Sequence, residues 1–169
     1  AVALEVVQKH SRVPVIGVIV PGAKKAVETT RVKRVGVIGT VGTIASDAYT
    51  NAIRQCDASV TVFSQACPLF VPLAEEGWLT HQATELIARE YLFPLKLKKI
   101  DTLVLGCTHY PILERVIESQ FDRPVTLIDS GEATAAEVGA LLDANGLRNP
   151  STHKGNIQFF VSDIPHKFT

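Results

Sequence analysis

The feature that most constrains the fold is the alternation of short apolar runs with longer stretches of helical period. The runs are rich in Val, Ile and Leu, and they span 14–19, 34–39, 59–63, 101–106 and 124–128. The helical stretches between and after them span 23–30, 44–55, 80–93, 111–120 and 131–144. This order is typical of βα units around a parallel sheet that is buried on both faces. The sequence therefore predicts an α/β fold with an open, mostly parallel sheet flanked by helices.

Both ends of the chain suggest that it is cut from a longer protein. The first residues already have the pattern of a helix, and there is no Met anywhere in the chain. Near the other end, the run NIQFFVSD (156–163) alternates well enough to predict one more strand at a sheet edge. A length of 169 residues fits one domain, or one domain and part of another.

Composition excludes several classes of function. Seventeen Lys and Arg balance 17 Asp and Glu, which disfavours nucleic acid and anionic membranes as partners. No apolar run approaches the roughly 18 residues of a membrane span. The three cysteines form no CxxC pair and the histidines lack metal-ligand spacing, so we expect no metal and a reducing, cytoplasmic location.

Function is expected in the turns that follow the strands, because ligands of open α/β sheets bind at the carboxyl ends of the strands. The first such turn is LGCTHYP (105–111), in which Cys107 and His109 lie between a strand and a helix. A helix start stabilises a thiolate, and a nearby imidazole can exchange its proton. The alternative is a buried Cys107 that only fills space and a His109 that caps the helix or faces solvent.

Three further turns carry polar side chains. In GTVGT (39–43), Thr40 and Thr43 beside a helix start suit an anion, although they equally suit plain helix caps. The segment ACPLFVPLAEEGW (66–78) predicts an irregular loop that can hold a carboxylate over the strand ends, or a solvated pair of glutamates. In LIDSGEAT (127–134), capping of the next helix by Asp129 or Ser130 accounts for the motif.

Several of these motifs together resemble the glutamate racemases of bacterial cell-wall synthesis, within the cofactor-independent Asp/Glu racemase family. The resemblance covers nearly the whole chain in the right order, and GCTHYP is its most specific part. The motifs are PVIGVIVPGA (14–23), VGVIGTVGTIAS (35–46), CPLFVPL with Glu75 after it, LVLGCTHYP (103–111) and VTLIDS (125–130).

The resemblance implies a mechanism and assigns roles within it. Two cysteines, one from each of two pseudosymmetric α/β domains, act on opposite faces of the substrate Cα, one as thiolate base and the other as thiol acid. Cys107 is the acid/base of the second domain, His109 assists it, and Glu75, in preference to Glu76, is the other assisting group. Thr108 and His109 fall where the family contacts glutamate, as do Thr40 and Thr43 with a weaker match.

The departures from the family pattern concern the first domain. Neither the ACNT-type turn of the first cysteine nor the DSGxGG-type turn of its partner acid occurs here. The resemblance therefore assigns residues 21–130 to the second domain, and residues 1–20 and 131–169 to pieces of the first. With one of the two acid/bases, the chain alone is expected to be inactive.

Other interpretations stay open on the sequence. One is an aspartate or broad-specificity amino-acid racemase, because the residues that select substrate length lie largely outside the chain. Another is a non-catalytic binding or structural α/β domain with an inert Cys107. A thiol hydrolase fits less well, since no oxyanion-hole signature accompanies the cysteine. The oligomeric state is open, a homodimer included.

Overall fold

The computed structural model describes residues 3–151 and 153–160, and its centre is one parallel sheet. The four strands are β1 (Arg34–Gly39), β2 (Thr61–Ala66), β3 (Thr102–Leu105) and β4 (Thr126–Asp129). They pair in the order β2-β1-β3-β4, all parallel. The predicted α/β class, with an open parallel sheet flanked by helices, is confirmed.

Helices connect the strands and cover the sheet. A 3-10 turn at Tyr110–Leu113 leads directly into the seventh of them. The helices are α1 (Leu4–His10), α2 (Ile19–Thr29), α3 (Val41–Ala45), α4 (Ala48–Cys56), α5 (Phe70–Glu75), α6 (Gln82–Leu97), α7 (Glu114–Glu118) and α8 (Ser130–Ala144).

The core lies on both faces of the sheet, which is why the central strands are apolar after their first residues, Arg34 and Thr102. Successive side chains of a strand point to opposite faces. Val37 and Val104 pack with residues of α2 and α4 on one face. Ile38, Leu103 and Leu105 pack with residues of α5, α6 and α7 on the other. No polar residue can be accommodated on either side of these strands without a partner.

The predicted strand at 14–19 is wrong. Residues 14–17 are irregular, and α2 begins at Ile19. A Val- and Ile-rich run of this length fits a strand or the start of a helix equally well by periodicity alone. Pro21, in the first turn of α2, needs no hydrogen-bond partner for its nitrogen and so fits a helix start.

Three other boundaries differ from the prediction. Residues 156–160 form no strand, and residues 161–163 of the same predicted run lie outside the described residues. The helix predicted at 44–55 is divided into α3 and α4, because Asp47 adopts a left-handed backbone with φ 51°. The loop predicted after β2 contains α5, whose Phe70 and Leu73 are buried one turn apart.

Asp101 lies just before β3, at the amino ends of the strands, and stabilises that end of the sheet. Its carboxylate accepts hydrogen bonds from the Thr30 hydroxyl (2.6 Å) and the backbone N–H groups of Arg31 (2.7 Å) and Val32 (2.9 Å). Burial by itself would raise the pKa of Asp101, but these hydrogen bonds outweigh it and hold the pKa below its ordinary value.

We expect Asp101→Asn to lower the free energy of unfolding at pH 7 by about 1–3 kcal/mol. The pKa is lower in the folded than in the unfolded chain, where it is about 3.9. The stabilisation is therefore fully present above that value and is lost as pH falls through the folded pKa. Urea titrations at several pH values should show the two proteins converging in acid. Asp122→Asn, which removes an exposed ion pair with Lys96, is the matched control; an equal loss there would contradict the prediction.

Candidate functional site

The candidate site lies where the strand order changes direction. From β1 the chain passes to β2 on one side of the sheet and later returns to β3 on the other. Ligands of open α/β sheets bind outside the carboxyl ends of the strands at such a point. Here the turns that follow β1 and β3 are neighbours, and the Gly106 N–H donates to the Ile38 carbonyl at 2.8 Å.

The tight contact at Gly106 determines which residue can precede Cys107. A Cβ at this position would lie 2.7 Å from the Ile38 carbonyl oxygen, a backbone atom that cannot move aside freely. Glycine therefore allows β3 to end close against β1. The next residue, Cys107, emerges from the sheet partly buried at this switch point.

The thiol of Cys107 and the imidazole of His109 are in contact. Cys107 Sγ lies 3.8 Å from His109 Nδ1, a hydrogen-bonding distance for sulfur. Both side chains belong to the turn between β3 and the 3-10 turn, so the two-residue spacing alone brings them together. The structure thus favours a paired thiol over a Cys107 that only fills space.

Glu75 completes a line of three titratable groups. Its Oε1 lies 3.4 Å from His109 Nε2, on the far side of the ring from Cys107. The carboxylate comes from the last residue of α5, which follows β2. When Nε2 carries a proton shared with Glu75, Nδ1 can accept the proton of the Cys107 thiol. The arrangement can therefore hold an imidazole in the tautomer that removes a proton from sulfur.

Two buried aromatic residues that sequence reasoning missed hold this line in place. Tyr110 donates its hydroxyl proton to the Cys67 carbonyl at 2.8 Å, which ties the turn after β3 to the turn after β2. Its ring meets that of Phe70 edge-to-face at 5.3 Å between centroids. Burial raises the pKa of Tyr110, so its hydroxyl stays protonated at neutral pH. The signal that could have identified Tyr110 is its position directly after His109 in the HYP segment (109–111).

The other two cysteines are placed differently from Cys107. Cys67 is fully buried, as predicted, and burial raises the pKa of its thiol to about 12. It therefore remains a thiol at neutral pH. Cys56 is exposed at the end of α4, toward the amino ends of the strands and away from the switch point.

Thr40 and Thr43 lie beside the Cys107 turn and bond to each other. Thr40 Oγ1 accepts from the Thr43 backbone N–H (3.3 Å) and is 3.0 Å from the Thr43 hydroxyl, so Thr40 caps α3. A methyl group built on Gly106 would lie 3.5 Å from Thr43 Cγ2, which shows how close the two turns are. Thr108 is exposed in the Cys107 turn itself.

The turn after β4 contains the predicted helix cap. Asp129 accepts from the Gly131 backbone N–H at 2.7 Å and caps α8, as the sequence indicated. Within the described residues, no three His, Cys, Asp or Glu side chains are grouped so as to hold a metal ion. None of the helices in that part of the chain combines the length and apolar character needed to cross a bilayer.

Comparison with known proteins extends these observations. Residues 1–138 match the family model described as Asp/Glu/Hydantoin racemase. The chain is 54% identical to the glutamate racemase of Chlorobaculum tepidum over 169 residues, and 51% identical to that of Geobacter metallireducens over 168. Each alignment covers 99% of this chain but only 62% of the relative, so the chain spans less than two thirds of these proteins.

Solved structures have the same fold. A crystal structure of Francisella tularensis glutamate racemase in complex with D-glutamate matches with a TM-score of 0.87 and 39% identity. That match covers 97% of this chain and 60% of the other. Bacillus anthracis glutamate racemase matches with a TM-score of 0.81 and 41% identity, over 85% of this chain and 54% of the other.

Proposed function

Since the chain belongs to the Asp/Glu/Hydantoin racemase family, we propose that its protein interconverts L- and D-glutamate without a cofactor, with Cys107 as one acid/base. One observation above all supports this proposal: the thiol of Cys107, the imidazole of His109 and the carboxylate of Glu75 lie in line at the switch point. The names of the similar proteins, including one solved with D-glutamate, support glutamate as the substrate.

In the proposed reaction, Cys107 acts in both directions. As thiolate it takes the Cα proton, forming an S–H bond while the electron pair of the broken C–H bond passes to the carbanion. In the opposite direction Cys107 acts as a thiol and donates its proton to the carbanion from the same side of Cα. His109, held by Glu75 through Nε2, accepts the thiol proton when the thiolate must be regenerated. The same three side chains thus serve both enantiomers.

Inversion needs a second acid/base on the opposite face of Cα. Cys67 is buried and Cys56 lies toward the other end of the sheet, so neither suits that role. We therefore assign the second group to a domain of which residues 1–20 and 131–169 are pieces, with residues 21–130 as the domain that supplies Cys107. The substrate is held between the two domains.

Substrate contacts are assigned to the turns around Cys107. The Cα proton of an amino acid is far weaker as an acid than a thiol, so hydrogen bonds to the substrate carboxylate must stabilise the carbanion. We assign this role to Thr108 and His109, and to Thr40 and Thr43 across the switch point. The threonine hydroxyls provide hydrogen-bond donors, and His109 becomes positively charged when it takes the thiol proton, which places a positive charge beside the developing carbanion.

The product suggests where the reaction takes place. D-glutamate supplies bacterial peptidoglycan synthesis, and a catalytic free thiol needs a reducing compartment. We therefore propose that the protein acts in the cytoplasm.

The proposal predicts the outcome of a racemisation assay in heavy water. The protein that carries this chain should convert L- to D-glutamate and the reverse, with solvent deuterium entering at Cα in each product, and should act at least about a hundredfold more slowly on aspartate. Chiral chromatography with mass spectrometry measures both. Faster turnover of aspartate would favour the aspartate or broad-specificity racemase instead. Two-way turnover by the 169 residues alone would contradict the need for a second acid/base.

A further inference from the structure

We propose that Tyr49 is a positioning residue for Cys107 in the racemisation proposed above, acting through its buried hydrogen bond to Ser130. The expected effect on kcat rests on that proposed function, whereas the placement of Cys107 by Tyr49 rests on the geometry around Gly106. Tyr49 belongs to α4 and lies outside every motif that the sequence singled out.

The Tyr49 ring fills the space between two glycines. The residue is only 4% exposed. A methyl group built on Gly106, immediately before Cys107, would lie 3.1 Å from Tyr49 Cε2. A methyl group built on Gly22, in the first half of α2, would lie 3.5 Å from Cε1 on the other edge of the ring. One edge of the ring therefore supports the Cys107 turn while the other rests on α2.

The hydroxyl of Tyr49 fixes where the ring can lie. It is 2.8 Å from the Ser130 hydroxyl, at the start of α8, and Ser130 is itself buried. Ser130 is also close to α2, since a methyl group on Gly22 would lie 2.6 Å from its Oγ. Tyr49 thus joins the Cys107 turn to the starts of α2 and α8, which in our proposal are the two points where the chain passes between domains.

The electrostatic surroundings keep Tyr49 neutral. Burial raises its pKa; the bond to Ser130 opposes this, while the nearby charges of Asp129 and Cys107 raise the pKa further. A phenol that stays protonated at neutral pH is no proton acceptor, so it acts here by position. Because a catalytic group misplaced by about 1 Å can lose two orders of magnitude in rate, a fixed ring behind Gly106 has kinetic consequences.

Two substitutions remove the hydrogen bond from either side. We expect Tyr49→Phe and Ser130→Ala each to lower kcat by about tenfold and to change KM by less than about twofold. The double variant should be no worse than either single one, because both remove the same interaction. Tyr91→Phe is the matched control, since the Tyr91 hydroxyl accepts a long hydrogen bond (3.4 Å) from the backbone N–H of the exposed Leu69. The kcat of this variant should stay within about twofold of the parent.

A second measurement does not depend on racemase activity. The rate at which iodoacetamide alkylates Cys107 at pH 7 should fall by about threefold in Tyr49→Phe and in Ser130→Ala, while alkylation of Cys56 stays unchanged. Alkylation rates equal to the parent in both variants would overturn the positioning role, and so would additive losses of kcat. A parent that alkylates as expected but does not racemise glutamate would overturn the proposed function and leave the positioning role standing.

Discussion

Replacing Cys107 by serine is expected to lower the rate of glutamate racemisation by about a thousandfold in both directions. The hydroxyl has almost the size of the thiol and keeps its place after Gly106. It is nevertheless far less acidic, so it supplies almost no base at neutral pH, and His109 cannot accept its proton readily. Polarimetry started from each enantiomer in turn measures the loss.

Cys56→Ser is the matched control for this experiment. Cys56 is exposed at the end of α4, so the racemisation rate of the Cys56→Ser protein should remain within about twofold of the parent. A Cys107→Ser protein that retains more than a tenth of the parent rate would contradict the proposal that Cys107 handles the Cα proton. Comparison of the two thiol-to-hydroxyl changes separates loss of the acid/base from any general effect of replacing sulfur.

The central strands could be predicted from the sequence because their environment determines their composition. The runs at 34–39 and 101–106 coincide with β1 and β3 to within a residue. Both are covered by helices on each face, and apolar side chains fill most of the positions there. β2 spans Thr61–Ala66 rather than 59–63, and it continues beyond the predicted end because Ser64 and Gln65 of this half-exposed edge strand interrupt the apolar pattern.

The site was only partly predictable, since its contacts differ in sequence separation. Cys107 and His109 meet because they share one turn, which a two-residue spacing reveals. Glu75 is 34 residues before His109 and lies on a helix where the two prolines predicted an irregular loop. The residues alone pointed to a carboxylate in that segment, and only the family resemblance chose Glu75 over Glu76. Tyr49 bonds to a residue 81 positions away, and no local pattern reports such a contact.

The second large effect is expected at Phe70, beneath the site. Phe70→Ala should lower the free energy of unfolding by about 3–5 kcal/mol. The ring is fully buried and packs edge-to-face against Tyr110 and Tyr91, with centroids 5.3 and 5.5 Å away. Removing it leaves a cavity under α5 that its surroundings, fixed by the strands, can fill only in part. Guanidinium titration followed by circular dichroism measures the change.

Phe93→Ala is the matched control, because it removes the same side-chain atoms from an exposed position. Phe93 lies on α6 with 53% of its surface exposed, so its loss should cost less than about 1 kcal/mol. Equal losses at the two positions would show that the α5 packing is not what holds the fold. Because Phe70 begins the helix that ends at Glu75, its replacement should also loosen the carboxylate opposite His109. We therefore expect kcat to fall in Phe70→Ala under conditions where the protein is still folded, whereas Phe93→Ala keeps the parent rate.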